Sequence, residues 1–472
     1  MTKRKRSTEI NQNTKTPSKC RETKSTSTPK AQVNTNLPLT IQLVTGSYDG
    51  IVHGVTAIVS PNSVEFADTF LFTAHSSAIR CLALSPPSKP VPNQIQKIYL
   101  ATGSTDERIH LYHLSAHAPS NKCIPSTKNH NSNPTAENPH NRELGSLLHH
   151  SGAITALYFA NRGKLLSASE DRQIAIIRTR DWNVLCSVKS PVPKHTGRPS
   201  CDTAPVGGAP CGINDFAVHP SKKLMISVSK REKCMRLWNL VTGKKAGVLN
   251  FDKKLLEHLG EGKYSTGEGR KVTWGTSNLC EEFCIGFERG LIVYGMDSKP
   301  RCKIMPEPRT KIHQIYYLEI MKEDMVLAVS TEDGRIMFYS TKSTNLTIDS
   351  NDKDTNALSS AKLVAQLGGK PAGVTGRIKD FSFLTHEGNR EEFIIATAGS
   401  DGILRLWKME FKDLQSPSGD FKQTGKLLGF YETNDRITCL EAFTMLPATV
   451  NVENHSLKKN SSSDYDTVSE SN

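Results

Sequence analysis

One pattern recurs along this chain and limits its fold more than any other feature. It is a β-rich run, a small residue, an acid in a tight turn, then an aliphatic strand ending in a large apolar residue. The copies read LVTGSYDGIVHGV, YLATGSTDERIHLY, LLSASEDRQIAII, MISVSKREKCMRLW, FCIGFERGLIVY, AVSTEDGRIMFY and IATAGSDGILRLW. The turn acids are Asp49, Asp106, Asp171, Glu232, Glu288, Asp333 and Asp401. Six positions after each stands Val55, Tyr112, Ile177, Trp238, Tyr294, Tyr339 or Trp407. A constant offset in seven copies marks a repeat array, in which each unit buries its faces only against its neighbours.

A further strand precedes each turn: AIRCLAL, AITALYF, GINDFAV, KVTWGTS, KIHQIYY and RIKDFSF, with Ile79, Ile154, Ile213, Val272, Ile312 and Ile378 in register. The first copy has no such strand in front of it. The missing piece stands at the far end as RITCLEAF, with Ile437 in the equivalent place. A ring sealed by strands from opposite ends removes the last open sheet edge. The sequence therefore predicts an all-β, seven-bladed propeller closed by N- and C-terminal strands.

Around this ring, residues 1–36 carry nine Lys or Arg against two Glu and almost nothing to bury, which predicts a disordered basic arm. The propeller is expected over 37–446, with low-complexity loops at about 115–142 and 341–360, and a disordered polar tail over 447–472. His75 and His150 lie four residues before Ile79 and Ile154, where a ring nitrogen can brace the turn acid. The turn acids themselves are expected to be structural, satisfying amides of their own turns.

In a propeller the loops between blades share a face with the acidic turns. The interblade loops at about 189–211 and 252–270, with the turns beside them, gather Arg172, Lys194, Arg198, Lys230, Arg231, Lys233 and Arg289. Those residues form a candidate basic sector over blades three to five, suited to phosphates or an acidic protein segment. Glu257, Glu261 and Glu268 interrupt it. The formal charge of +13 agrees with an anionic partner and does not choose one. Lys3, Arg4, Lys5 and Arg6 form a candidate nuclear import signal.

No catalytic, cofactor-binding or metal-ligating set emerges. GEGKYSTGEGRK lacks the phosphate-loop spacing and leads into a strand, whereas that loop must open a helix. Neither H-E-x-x-H nor G-x-S-x-G occurs, and the eleven cysteines, which suggest a reducing compartment, show no C-x-x-C zinc pair. No apolar run is long enough to cross a membrane as a helix. The expectation is a non-enzyme without cofactors, a membrane partner or a small-molecule substrate.

TGSTDERIHLYHL, LLHHSGAITALYF with LLSASEDRQIAI, and INDFAVHPSKKLMISVSKREKCMRLWNLVTGKK resemble the WD-repeat (WD40) family of the PAK-kinase-interacting protein, whose yeast relative is the maintenance-of-killer large-subunit assembly factor. The resemblance covers about residues 41–444. It implies a nucleolar scaffold in large (60S) ribosomal subunit assembly, with pre-60S ribosomal particle proteins as partners. Ribosomal RNA is a further candidate partner. It also implies a competing role, negative regulation of a PAK-type kinase. The serine-rich, slightly acidic tail departs from the lysine-rich end of some relatives and argues against an RNA contact there. The fourth turn departs too, with KREK where relatives tend to place an Asp, which implies that it is less tightly braced.

Overall fold

The computed structural model describes residues 38–447, apart from 62, 93, 119–137, 192–211, 262–264, 277–280, 322–323, 348–357, 387–388 and 416–422. Strands dominate it, and almost all fall into antiparallel sets of four. Blade one pairs Ile437–Thr444 with Leu39–Ser47, then Ile51–Val59 and Val64–Thr73. Blade two holds Ile79–Leu84, Lys97–Ser104, Ile109–Ser115 and Arg142–Leu147. Blade three holds Ile154–Asn161, Lys164–Ser169, Gln173–Arg178 and Val184–Lys189. Blade four holds Ile213–Val218, Leu224–Ser229, Cys234–Asn239 and Lys244–Asn250.

Blade five runs Lys271–Thr276, Glu281–Gly286, Leu291–Gly295 and Pro300–Ile304. Blade six runs Ile312–Met321, Asp324–Thr331, Arg335–Ser340 and Ser360–Gly368, with the short Leu346–Thr347 beside its last strand. Blades five and six are linked by one parallel pair, Lys303 with Ser360. Blade seven runs Ile378–His386, Asn389–Gly399, Ile403–Glu410 and Lys426–Glu432. The arrangement is consistent with the seven blades expected.

The seam lies where the sequence places it. Val44 pairs with Glu441 and Thr45 with Leu440 in an antiparallel register. The fold is held by cores between blades. Ile41 and Leu43 of blade one pack with Leu384 and Ile394 of blade seven, and Val44 and Val52 pack with Ile79 and Leu100 of blade two. Each later junction repeats the plan, as with Leu111 against Leu165, or Val228 against Phe283. A fully buried Leu or Ile contributes about 1.5–3 kcal/mol, so these junctions carry most of the ring's cohesion. The junctions are also tight. A Cβ added to Gly103 would stand 2.6 Å from Ile154 Cγ2 of the next blade.

The interblade stretch after blade four, read from sequence as a loop, contains the helix Lys253–His258, whose Leu256 enters the junction of blades four and five. The stretch expected as a loop at 341–360 likewise begins with a 3-10 turn at Ser343–Asn345. The helix departs from the expectation because Leu256 gives it a core to pack on, whereas the 3-10 turn, with no buried residue, closes on a bond from the Asn345 amide to the Lys342 carbonyl. The expected basic arm and polar tail lie outside the described residues.

Candidate interaction surface

The turn face is built on two kinds of brace. In blade two, His75 Nδ1 meets Asp106 Oδ2 at 2.9 Å and Nε2 meets the Thr102 hydroxyl at 2.8 Å. Blade three repeats this, with His150 Nδ1 at 2.9 Å from Asp171 Oδ2 and Nε2 at 2.7 Å from Ser167 Oγ. The acids also accept from the Arg108 and Gln173 amides of their own turns. Burial pushes Asp106 up, but the Arg108 amide and His75 outweigh it and hold the carboxyl below its ordinary range.

Blades four and seven are braced otherwise. Trp238 Nε1 donates to Ser227 Oγ at 2.8 Å, and Trp407 Nε1 to Thr397 Oγ1 at 3.2 Å, so an indole replaces the imidazole on the second-strand hydroxyl. The freed acid takes an arginine four residues on. Glu232 pairs with Arg236, both buried, and Asp401 with Arg405 at 3.0 Å. In blade six Asp333 Oδ2 accepts from Arg335 Nε at 2.6 Å. The fourth turn is therefore braced by a buried ion pair and not loosened as expected. At Asp49, the Ser47 hydroxyl accepts from the Asp49 and Ile51 amides. Glu288 stays on the rim, 3.3 Å from Arg270 and 3.8 Å from Lys311.

Of the basic sector, Arg231, Lys233 and Arg289 are exposed, and Arg172 and Lys230 half-buried. Acids sit among them. Lys230 lies 3.6 Å from Glu170, which also binds Arg80 at 2.9 Å, and the Arg231 amide donates to Glu268. Lys194 and Arg198 fall outside the described residues, as do Lys3, Arg4, Lys5 and Arg6.

A second group of cations, not singled out from sequence, stands at the mouth of the central channel. The residue before each innermost strand's register aliphatic is Ala78, Ala153 or Gly212 in blades two to four, but Lys271, Lys311, Arg377 or Arg436 in blades five, six, seven and one. Six of these seven positions share one backbone bond, and Lys271 stands in the same register beside Gly286. The turn amides of Thr105, Glu170, Lys230, Glu332, Ser400 and Tyr48 donate to the carbonyls of Ala78, Ala153, Gly212, Lys311, Arg377 and Arg436. The innermost strands adjoin one another around the channel, so the four cations form an arc.

Lys379 and His313 stand one residue into their strands, and the arc's charges reach them. Burial and then Lys379, Lys311, Arg377 and Lys271 push His313 down to about 4. Burial and then Arg377 and Arg436 pull the Lys379 ammonium below its usual value. Three arc cations have carboxylates nearby: Lys271 with Asp215 at 3.9 Å, Lys311 with Glu288 at 3.8 Å, and Arg377 with Glu332 at 3.1 Å. Lys379 and Arg436 have none within ion-pair distance among the described residues; Arg436 lies over the Tyr48 ring at 5.0 Å. Deeper in the channel, Asp380 is raised by burial, and burial with Asp380 pushes Glu441 up to about 8.

Elsewhere, a cleft of about 400 Å³ opens between blades one and two, lined by Phe70, Leu71, Phe72, Tyr112, Arg142 and Glu143. Among the described residues no group of three or more His, Cys, Asp or Glu is placed to hold a metal, and the cysteines are free thiols. Among the described residues no helix is long and apolar enough to cross a membrane.

The repeat family described as WD domain, G-beta repeat matches residues 67–113 and 141–177. These are the stretches that contain the two histidine braces. The chain is 27% identical over 429 residues to Protein MAK11 of Saccharomyces cerevisiae, covering 84% of this chain and 82% of that protein. It is 24% identical over 402 residues to the p21-activated protein kinase-interacting protein 1-like of Danio rerio, covering 85% and 80%. The human p21-activated protein kinase-interacting protein 1 is 24% identical over 408 residues, covering 85% and 76%.

Proposed function

We propose that this chain, which carries WD40 repeats and is homologous over most of its length to MAK11 and the PAK-interacting protein 1 family, is a non-catalytic assembly factor for the large ribosomal subunit. The observation that carries this reading is the similarity to MAK11 along 84% of the chain, blades and junctions together. It supports a shared scaffold role, and the ribosomal assignment rests on the family resemblance described above. The reading gives pre-60S proteins as principal partners, with rRNA as a further contact, and places the protein in the nucleus and nucleolus. The basic balance of +13 and the Lys3–Arg4–Lys5–Arg6 run are in keeping with that address. In this reading residues 1–36 are a separable basic arm, 37–446 the propeller, and 447–472 a polar tail.

A second reading is regulation of a PAK-type kinase, supported by relatives named for kinase interaction, among them the Shk1 kinase-binding protein 15 of Schizosaccharomyces pombe, 26% identical over 222 residues. Affinity purification of the tagged full chain at moderate salt, with mass spectrometry and RNA sequencing, separates the two. Large-subunit proteins and precursor rRNA support the assembly factor, and a kinase-dominated catch moves the regulator to first place. Deleting residues 1–36 is expected to mislocalise the protein while leaving kinase binding in vitro intact.

A further inference from the structure

The channel mouth carries an asymmetry that neither functional reading uses. Blades two to four present Ala78, Ala153 and Gly212 there, while the other four present an unbroken run of Lys271, Lys311, Arg377 and Arg436. A ring fold needs no cation at this position, since Ala and Gly serve three blades with the same backbone bond. Packing like charges at a recessed site costs energy unless something anionic offsets it. Glu288, Glu332 and Asp215 offset three of them, and Lys379 and Arg436 have no carboxylate within ion-pair distance among the described residues.

Beneath the rim, two uncharged polar groups are left unpartnered. His313 Nε2 is buried and has no hydrogen-bond partner, and neither has Thr155 Oγ1, which is one residue into its own innermost strand. With its pKa pushed down to about 4, His313 is neutral near pH 7, so the arc's charge comes from Lys and Arg alone.

We propose that this arc binds an acidic segment of a protein partner: an extended peptide whose Asp and Glu side chains reach Lys379, Arg436 and their neighbours at the channel mouth. Three features select this occupant. The cations sit at the inner ends of the blades, where a slim peptide reaches them and the convex backbone of an RNA duplex does not. Single-stranded RNA favours aromatic platforms free to stack between its basic contacts, and Tyr48, exposed beside the arc, already holds the Arg436 guanidinium over its ring at 5.0 Å. Below the mouth, the Asp380 carboxyl, already accepting from the Leu440 amide and Gln314 Nε2, offers an incoming carboxylate no cation, which keeps an acidic chain at the rim. The inference stands apart from the choice between ribosomal and kinase partners.

The test is fluorescence anisotropy of the full-length protein with a labelled Glu/Asp-rich 12-residue peptide, at low and moderate salt. A uridine 12-mer and a phosphoserine peptide serve as comparison probes. Replacing Lys379→Gln and Arg436→Gln together is expected to weaken acidic-peptide binding about tenfold, while Lys230→Gln with Lys233→Gln changes it less than about twofold. Lys379→Arg, which keeps the charge, is expected to bind like wild type, and matching thermal melts show that the ring is intact. Failure of the wild-type chain to bind the acidic peptide overturns the proposal. So do equal losses at the two sites, tighter capture of the RNA, or binding of the phosphopeptide alone.

Discussion

Blades two to four and blades five, six, seven and one share one backbone plan but use their acids differently. In the first group Asp106, Asp171 and Glu232 turn inward, onto His75, His150 and Arg236. In the second, Asp333 and Asp401 brace the buried Arg335 and Arg405 in the same way, but Glu288 and Glu332 stay on the rim and answer the arc cations Lys311 and Arg377. The same residue type at a turn is an internal strut in blades on both sides, and beside the arc it serves in addition as a counter-charge on the rim. What decides is the burial of the partner: removing a strut strands a desolvated donor, whereas removing a rim acid returns a cation to water.

The sharpest way to break this contrast is to remove one acid from each side. Glu232→Ala leaves the Arg236 guanidinium buried without its carboxylate and is expected to cost about 3 kcal/mol or more. Glu288→Ala removes a rim contact and is expected to cost about 0.5 kcal/mol or less. Denaturant unfolding of both variants checks this, and equal losses would erase the distinction.

A second test concerns the channel floor. Glu441, raised to about 8, keeps in the native state a proton that an unfolded carboxyl, with a pKa of about 4.3, has released at neutral pH. Its contribution to stability therefore falls as pH rises through that window and levels off above about 8. Glu441→Gln abolishes the fall, so its melting temperature is expected to exceed wild type at about pH 8.5, with the gap narrowing towards about pH 5. A gap independent of pH would mean that the Glu441 carboxylate is well solvated.

The smallest effect on stability comes from copying the arc onto the bare half. Ala78→Lys with Ala153→Lys is expected to change stability by less than about 0.5 kcal/mol while tightening acidic-peptide binding a few-fold. Unchanged binding would show that the position, and not the charge alone, is special to the other half.

Much of the ring could be read beforehand because its strands repeat the same alternation and the seam left one strand at each end. The histidine braces were legible too, since His75 and His150 keep a fixed distance from Ile79 and Ile154. The arginine braces were not. Arg236 and Arg405 lie four residues past their acids on the third strand, and sequence does not say that both partners fold onto one side. The arc was visible as the first letters of KVTWGTS, KIHQIYY, RIKDFSF and RITCLEAF, but they look like loop residues until the carbonyls of Lys311, Arg377 and Arg436 are seen bonded to the turns and Lys271 is seen paired with Gly286. In the basic sector, Glu170 meets both Arg80 and Lys230, a junction of three blades that no local spacing foretells.

The seam pairs Leu39–Ser47 with Ile437–Thr444, so the first strand made waits for the last. During synthesis the early blades can collapse while the edge at Leu39–Ser47 stays open, because folding proceeds from the N-terminus. Arg436, which completes the arc, reaches the tunnel exit with the closing strand. A chain released early would keep most of its blades but have an unsealed edge and an incomplete arc. The surface at the channel mouth is thus a mark of completed manufacture, present only on molecules whose two ends have met.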